Sequence, residues 1–301
     1  EKVSLAGKTY DAVWLLAKYI SLTLQDFENI QYLTFTTPET DVDMAKMLKG
    51  IGQHIGVDKE IINVQDYKES FCQYMIFQPK ELWQYESALF YCDEDRIKAY
   101  MLRRLRVDAS HGMNSFVTVD EVANAQRKEL EALYPIMNKE KSPDESFKSM
   151  IENVFEKKVI SSVYLTGEGF EKNWYPNSLR VLCNGRRAFM GNNLYSKGAC
   201  YKSIRKCEPN DDGPIYLDET KLTERICLRM RVDGQEGWYP LVTWGTHWYE
   251  ADGQWEVLLE DASDIEILVE SLVDEEVQVE KVSLEGLPKR TDYSLRLLQC
   301  G

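Results

Sequence analysis

Two glycines that flank a glutamate, Gly167-Glu168-Gly169, are the first residues with a possible chemical role. Glycine permits positive φ and close backbone approach, so such a turn can bring its N–H groups against a sugar or a base. Glu168 and the nearby Lys172 could then hydrogen-bond sugar hydroxyls. The alternative, which a lone G-x-G motif favours, is that the glycines only turn a strand into the next segment.

A second candidate is the acidic turn Asp93-Glu94-Asp95, between the apolar segments SALFYC and RIKAYML. Carboxylates are ligands of Mg²⁺, and with a metal ion they could face a phosphate group. Without the metal, each close pair of like charges in a partly buried cleft costs about 1 kcal/mol or more. The turn contains no glycine, so its backbone is poorly suited to wrapping round phosphate oxygens.

Aromatic side chains concentrate in residues 238–255, which hold four of the seven tryptophans. If Trp238, Trp244, Trp248 and Trp255 are exposed, they could stack on sugar rings or hold a peptide. We favour the other interpretation, in which they fill the core of a small β domain. On that interpretation Trp244 and Trp248 share one face of a strand.

Other patterns of catalytic or metal-binding residues are missing from the sequence. It has no G-x-S-x-G, H-E-x-x-H or G-x-x-x-x-G-K-[ST] motif. The three histidines stand apart and the seven cysteines form no C-x-x-C pair, so we expect reduced thiols and no zinc site. A group of arginines could bind an anion, although ion pairs with acidic neighbours are the favoured interpretation. These are Arg103, Arg104, Arg106, Arg186 and Arg187.

Composition and charge restrict the class of protein. The chain is 44% hydrophobic and 29% charged, which is typical of a soluble globular protein, and no apolar run reaches the ~20 residues of a membrane helix. Residues 1–207 carry 28 acidic and 28 basic side chains, whereas residues 208–301 carry 22 acidic and 8 basic, a net charge of −14. Such a surface repels nucleic acids and anionic membranes, so neither is an expected partner.

The elements that would position the candidate residues follow from periodicity. Residues 1–107 alternate predicted strands and helices, which indicates an α/β layer with some parallel pairing. Thr40 or Asp41 is the expected cap of one helix, and further helices are predicted over residues 120–134 and 142–158. Residues 207–214 have the composition of a linker. Beyond them the apolar period changes to two, which predicts an antiparallel β-sandwich-like domain.

Several segments resemble the actin/Hsp70-like ATPase (ASKHA) superfamily. NIQYLTFTTP and GQHIGVDKEIINVQ resemble parts of a nucleotide-binding lobe, and SALFYCDEDRIKAYML stands where a phosphate-gripping hairpin would lie. VISSVYLTGEGFEKNW resembles the turn that holds adenosine, and NLYSKGACYKS resembles a late helix rich in Gly and Ala. The segment RRAFMGNNLYSKGACY is similar to an uncharacterised bacterial family of this fold, known only as a domain of unknown function.

The resemblance implies an α/β fold of partial actin/Hsp70-like, ribonuclease H-like lobes followed by an antiparallel β-sandwich-like domain. Residues 1–107 would form a partial first lobe, and residues 108–207 a second-lobe segment with the adenosine-type turn of Gly167, Glu168, Gly169 and Lys172. Residues 215–301 would form an acidic all-β domain.

The departures from this family decide the expected function. Asp93 and Asp95 mark a degenerate phosphate hairpin without glycine, and the chain begins at Glu1, after the point where the first phosphate hairpin would lie. Residues 66–71 are large or charged where small residues would let two helices cross. We therefore expect no catalytic residue, no metal site and no cofactor in this chain.

The leading hypothesis is a non-catalytic, cytoplasmic protein–protein interaction or scaffolding module, whose unknown protein partner contacts the acidic domain. One alternative is an ATP-binding protein with weak or no turnover, which would bind ATP and Mg²⁺ in a longer product. Another alternative is a carbohydrate- or peptide-binding module that uses the tryptophans. The sequence does not indicate an oligomeric state.

Overall fold

The computed structural model describes residues 2–27, 29–94, 96–106, 115–126, 143–171, 173–208, 213–251, 255–256, 264–273, 276–284 and 294–295. The chain forms two compact units. The first unit comprises residues 1–104 and 118–213, and the second unit comprises residues 105–117 and 214–301.

The described residues of the first unit form six α-helices. They are α1 (Ala12–Leu24), α2 (Val42–His54), α3 (Tyr67–Ile76), α4 (Pro143–Phe155), α5 (Pro176–Leu182) and α6 (Leu194–Cys207). Asp11, Asp41 and Asp66 cap the first three, each accepting a hydrogen bond from the backbone N–H three residues later, at 3.0, 2.7 and 2.7 Å. Because a carboxylate satisfies an otherwise orphaned N–H, these caps set where the helices begin. Of the two expected caps for α2, Asp41 is the one used.

Among the described residues, nine strands lie wholly or mostly in the first unit. They are β1 (Lys2–Leu5), β2 (Lys8–Asp11), β3 (Leu33–Thr37), β4 (Ile62–Asp66), β5 (Glu86–Cys92), β6 (Arg96–Arg106), β7 (Ser115–Gln126), β8 (Ile160–Thr166) and β9 (Arg187–Met190). Five of them follow one another across the main sheet in the order β7-β6-β5-β8-β9. Strand β5 is antiparallel to β6 and parallel to β8, which is parallel to β9. The predicted mixed α/β class is therefore confirmed, and the expected boundary between residues 107 and 108 falls between β6 and β7.

The predicted helix over residues 120–134 is wrong for its first half, because residues 120–126 continue strand β7. The remainder of that helix lies outside the described residues. Strand β7 neighbours β6 in the sheet, and Val119 points inward with 3% of its surface exposed. Pairing with β6 thus overrides the local helical pattern of the segment, as packing often does for β propensity.

The core of the first unit lies between the main sheet and helices α4 and α5. Phe147 and Ile151 of α4 are fully buried against Phe90 and Met101 of the sheet. Phe90 and Phe147 meet edge to face, with ring centroids 5.4 Å apart. This geometry favours aromatic pairs beyond the area that they bury. The ends of β5 and β8, which carry both candidate turns, are thereby fixed by a packed core.

Two smaller sheets precede the main one. Strands β1 and β2 form an antiparallel hairpin, and strands β3 and β4 form a parallel pair, with no further strand added to either among the described residues. Helix α2 packs on the parallel pair, where an added Cβ at Gly52 would lie 2.5 Å from Ile62 Cδ1.

The described residues of the second unit form seven strands, of which six pair antiparallel. They are β10 (Ile215–Tyr216), β11 (Glu224–Val232), β12 (Gln235–Val242), β13 (Trp255–Glu256), β14 (Asp264–Ser271), β15 (Val277–Ser283) and β16 (Ser294–Leu295). Four of them form an antiparallel sheet in the order β12-β11-β14-β15, as the period of two predicts.

The turn between β11 and β12 is the predicted Asp233-Gly234, with φ of 51° and 80°. Positive φ at both positions is the mark of the tight hairpin turn that Asp-Gly favours. The other predicted turn, Asp252-Gly253, lies outside the described residues.

Among the described helices, none combines the length and the apolar character that crossing a bilayer requires.

Candidate functional site

The Gly167-Glu168-Gly169 turn lies directly on the end of strand β5. Gly167 has φ of 99°, and an added Cβ there would lie 2.1 Å from the carbonyl oxygen of Cys92. An added Cβ at Gly169 would lie 2.2 Å from Cys92 Sγ and 3.0 Å from the carbonyl oxygen of Asp93. Both glycines are therefore required for close packing of the turn on its neighbour, independently of any ligand.

The acidic turn between β5 and β6 closes through its own hydrogen bonds. Asp93 N donates to Arg96 O at 3.1 Å, and the side chain of Asp93 accepts from Arg96 N at 2.7 Å. One carboxylate oxygen of Asp93 is thus already used by the turn. The structure places Asp93 beside Gly169, so two of the segments predicted as candidate sites do meet. Asp95 and Lys172 lie outside the described residues.

Tyrosine rings gather beside these turns. Tyr67, the first residue of α3, stacks on Tyr195 of α6 with centroids 3.8 Å apart and planes at 6°. Tyr91 of β5 lies 6.4 Å from the first ring and 6.3 Å from the second. We call Tyr67, Tyr91 and Tyr195 the tyrosine cluster. Its contacts join the starts of two helices to the end of a sheet strand.

Carboxylates surround the tyrosine cluster. Burial raises the pKa of Tyr91, and the charges of Asp93 and Glu168 raise it further. Burial is also the main cause of the raised pKa of Tyr195, to which neighbouring tyrosines and Asp66 add. Each of these shifts disfavours a negative charge.

Three of the five arginines singled out from the sequence contact other side chains. Arg103 lies 3.3 Å from Glu86 and 3.1 Å from Asp120, Arg104 lies over the ring of Trp83, and Arg186 lies over the ring of Phe155. Arg187 is exposed on β9, and the side chain of Arg106 lies outside the described part of the chain. Among the described side chains, the contacts of Arg103, Arg104 and Arg186 thus favour ion pairs and ring contacts over an anion site. Among the described residues, no three His, Cys, Asp or Glu side chains are grouped to hold a metal ion.

Helices α3 and α6 cross with their backbones in contact. An added Cβ at Gly198 would lie 1.9 Å from the carbonyl oxygen of Ser70. Lys202 donates to buried Glu69 at 2.8 Å, and Arg205 donates to Gln73 at 3.0 Å. The large residues of the 66–71 segment therefore do not prevent a close crossing, because Gly198 on the facing helix supplies the space.

The family models divide the chain close to the point where the predicted linker ends. Residues 1–219 match the model described as Family of unknown function (DUF5716) C-terminal, which covers more than two thirds of the chain. The chain belongs to the DUF5716 family. Residues 221–298 match a second model, Domain of unknown function (DUF8552). No curated protein matches the sequence.

The DUF8552 region holds the candidate tryptophans, and they do not share one environment. Trp238 lies on β12 with 38% of its surface exposed, and Trp248 is 51% exposed. Trp244 is half-buried, where its indole N–H donates to Glu270 O at 3.1 Å and the Arg225 guanidinium lies 4.3 Å from its ring. Trp255 begins β13, and its side chain lies outside the described part of the chain.

The prediction that Trp244 and Trp248 share one face of a strand is wrong. Strand β12 ends at Val242, and Gly245, with φ of 75°, turns the chain into a short 3₁₀ helix, Trp248–Glu250. The Gly245 N–H donates to Leu222 O at 2.9 Å, which fixes the turn. The preference for a core role fails for Trp238 and Trp248, whose exposure leaves their rings accessible.

One face of the DUF8552 sheet carries a row of ion pairs. Glu266 of β14 accepts from Arg229 of β11 and from Lys281 of β15, both at 2.6 Å. Arg231 adds a pair with Glu236 at 3.1 Å, on the turn side of the same face. The row joins all four strands through exposed or half-exposed side chains, so we expect it to depend on salt.

Sequence reasoning did not single out Tyr91, Tyr195 or Gly198 of the DUF5716 region. The Gly-Ala step of the late helix was the available signal for Gly198. The Tyr67–Tyr195 stack joins residues 128 positions apart, so no local pattern indicates it.

Proposed function

We propose that the chain is a non-catalytic actin/Hsp70-like protein that acts as a protein–protein interaction or scaffolding module in the cytoplasm. Its DUF5716 region would be a degenerate nucleotide-binding fold. Its acidic second unit, as a β-sandwich-like domain, would provide the contact surface for a protein partner.

The topology of the first unit supports the actin/Hsp70-like part of the proposal. In chain order the five main strands stand in the sequence 3-2-1-4-5 across the sheet, with only the second antiparallel to the first among the pairings described here. An α/β unit whose sheet includes parallel pairing is what the resemblance to a ribonuclease H-like lobe implies. The close crossing at Gly198 agrees with the late Gly-Ala helix on which the resemblance rests.

The absence of catalysis rests on one observation, the packing of Gly167 and Gly169 against Cys92 and Asp93. In an ATPase of this type, glycines at the site would leave backbone N–H groups facing a ligand. Here the Cα side of each glycine lies against the end of β5, where an added Cβ would overlap Cys92. The nearby tyrosine cluster and carboxylates add bulk and negative charge where phosphates would need donors.

The charge of the second unit supports a protein partner, and the thiols support a cytoplasmic location. A net charge of −14 over residues 208–301 favours a basic protein surface as partner, because complementary potentials speed and direct association. Cys183, Cys200 and Cys207 are free thiols with exposed side chains. Exposed thiols persist most readily in a reducing compartment.

Thermal unfolding with adenosine, Mg-ADP and Mg-ATP tests the proposal. We expect no change in melting temperature with any of the three. A ligand at 100 times its Kd would add about 2.7 kcal/mol to the free energy of unfolding, which a melt resolves. A shift with adenosine would mean that the Gly167–Gly169 turn binds, and a shift with Mg-ATP alone would mean that phosphates are held; either overturns the proposal. A shift confined to a longer native product would favour the ATP-binding alternative.

Exposure of Trp238 and Trp248 favours a second candidate, recognition of a carbohydrate or a peptide. Iodide quenching of tryptophan fluorescence tests it, with Trp238→Phe and Trp248→Phe compared with Trp244→Phe. If a glycan or peptide binds there, it should protect the first two rings from iodide. Equal quenching with and without a panel of oligosaccharides and peptides would exclude this candidate.

A further inference from the structure

Helix α1 has apolar side chains on more than one side. Of its 13 residues only Ala17 is buried, and Lys18 is its single charged residue. Leu15, Tyr19 and Leu22 follow one another at helical spacing, and Tyr19 and Leu22 are 69% and 52% exposed. A surface helix normally turns one apolar stripe to the core and a polar face to water. This helix therefore presents a second apolar stripe that its own unit does not cover.

The hairpin before α1 extends the same apolar surface. Val3 and Leu5 of β1 are 40% and 52% exposed, and Val3 pairs with Tyr10 of β2. Tyr10 stacks on Trp14 of α1, with centroids 5.8 Å apart, and half of the Trp14 surface is exposed. A two-stranded hairpin alone is marginal in water, so such a hairpin ordinarily packs on further structure.

The parallel pair β3–β4 is also incomplete by the usual standard. Parallel strands ordinarily belong to larger sheets that are covered on both faces. On one face of the pair, hydroxyl groups form hydrogen bonds to two helices. The Thr36 hydroxyl bonds to that of Ser70 in α3 at 2.6 Å, and the Thr34 hydroxyl bonds to that of Ser203 in α6 at 2.7 Å. Its sheet order contains no third strand among the described residues.

We propose that α1, the β1–β2 hairpin and the open edge of β3–β4 form the docking surface for the N-terminal region of the same family. The matching model is described as C-terminal, which implies a further region of the family on the N-terminal side of the matched residues. The open edge of the β3–β4 pair can hydrogen-bond to a further strand, and the exposed apolar side of α1 can pack on the face of a sheet. One region in the same polypeptide supplies both without the entropy cost of association. The inference does not depend on the proposed function, because a degenerate lobe and an active one would need the same completion.

Two other occupants fit less well. A membrane surface would favour many basic side chains round the apolar stripe, and the hairpin and α1 together offer only Lys2, Lys8 and Lys18. A second copy of the chain could cover α1, but it would have to complete the parallel pair as well. The N-terminal region is therefore the occupant that the three incomplete elements favour together.

Hydrogen–deuterium exchange tests the surface on two proteins, the 301-residue chain and the native product that includes the N-terminal region. We expect amides of α1, β1, β2 and β3 to exchange at least tenfold more slowly in the longer product. The double substitution Tyr19→Glu and Leu22→Glu in that product should restore the faster exchange. Val159→Glu is the control, because Val159 is 63% exposed outside this surface and should change nothing.

The outcomes separate the occupants. Equal exchange of these segments in both proteins would overturn the proposal. Protection that rises with the concentration of the 301-residue chain alone would also overturn it, in favour of a second copy. Both glutamate substitutions replace exposed side chains, so an unchanged melting temperature of the 301-residue chain carrying them confirms that its fold is intact. Loss of nucleotide binding plays no part in the readout, so the result is independent of the ATP experiment.

Discussion

The α3–α6 crossing of the first unit and the charged face of the second-unit sheet use opposite means to join elements. At the crossing, the backbone of Gly198 lies against the carbonyl of Ser70 with no space for one carbon atom. On the sheet, Arg229, Glu266 and Lys281 join neighbouring strands through charged groups at the surface. The first contact depends on shape and the second on charge.

The difference predicts how each region tolerates change. A packed backbone contact has no alternative arrangement, so a small added volume forces a shift of a helix. Exposed ion pairs are replaced by water and counterions at little cost. Substitutions at buried, shape-dependent positions should therefore have large effects that are insensitive to salt. Those on the charged face should have small effects that salt removes.

The largest expected effect is that of Gly198→Ala. The added Cβ would overlap the carbonyl of Ser70 at 1.9 Å and must displace α3 from α6, together with the Glu69–Lys202 pair. We expect a loss of about 3 kcal/mol in the free energy of unfolding, at the upper end of overpacking costs. Urea denaturation measures the change.

Gly50→Ala is the matched control, since it also places alanine in a helix. Nothing lies within 4 Å of the added Cβ, and Gly50 is exposed on α2. Alanine should therefore raise the free energy of unfolding by about 0.5–1 kcal/mol, because it lowers the conformational entropy of the unfolded chain. If Gly198→Ala and Gly50→Ala change the free energy of unfolding equally, the α3–α6 contact is not sensitive to added volume.

Asp144→Ala should have the next largest effect. The buried Asp144 carboxylate accepts from Asn177 N at 2.7 Å and from Ser178 N at 2.8 Å, so a residue of α4 caps the start of α5. Removal leaves these N–H groups without their partner, at an expected cost of about 2 kcal/mol. The control is Glu145→Ala, one residue later and more exposed. Its free energy of unfolding should stay within about 0.5 kcal/mol of the wild-type value.

The effect of Asp144→Ala should also depend on pH. Burial alone would raise the pKa of Asp144, but the hydrogen bonds from Ser178 and Asn177 outweigh it and lower the pKa. A folded-state pKa below the unfolded value of about 3.9 makes the ionised group stabilising above that value. The gap between wild type and variant should narrow as pH falls below about 4, through the folded-state pKa. A gap that is constant from pH 7 to pH 3 would show that the charge of Asp144 is not involved.

Local patterns predicted much of this fold and little of the candidate site. The Asp41 cap and the Asp233-Gly234 turn depend on neighbours within three residues, and the structure contains both. Residues 120–126 of strand β7 were predicted as part of a helix, because the pairing of β7 with β6 is a tertiary contact that local patterns do not indicate. The Gly167 turn was recognisable as a turn, but what it packs against, Cys92, is 75 residues away. Contacts between residues far apart in the chain determine the chemistry of the site. Local patterns in a single sequence do not indicate such contacts, so little of the site was predicted.

Tyr195→Phe should have a small effect of the opposite sign. The Tyr195 hydroxyl is buried and has no hydrogen-bond partner among the described residues, so removing it relieves the cost of desolvation. We expect a gain of up to about 1 kcal/mol. Tyr175→Phe is the control, because the Tyr175 hydroxyl donates to Phe170 O at 3.2 Å and its loss should cost about 1 kcal/mol. Opposite signs in urea denaturation would confirm that only the Tyr175 hydroxyl has a hydrogen-bond partner, and a loss of stability in both variants would mean that the Tyr195 hydroxyl has one too.

Glu266→Gln should have the smallest effect, and one that depends on conditions. Hydrogen bonds from Lys281 and Arg229 lower the pKa of Glu266, so its stabilising contribution is present above the unfolded pKa and disappears as pH falls through the folded value. Because both pairs are at the surface, salt should screen them. Melting temperatures at pH 7 should differ between wild type and variant in low salt and converge in 1 M salt. Glu280→Gln, on the opposite face of β15, is the control and should match wild type at every salt concentration. If the melting temperatures of wild type and Glu266→Gln still differ in 1 M salt, this face is stabilised by shape-dependent contacts as well. The proposed difference between the two regions would then be wrong.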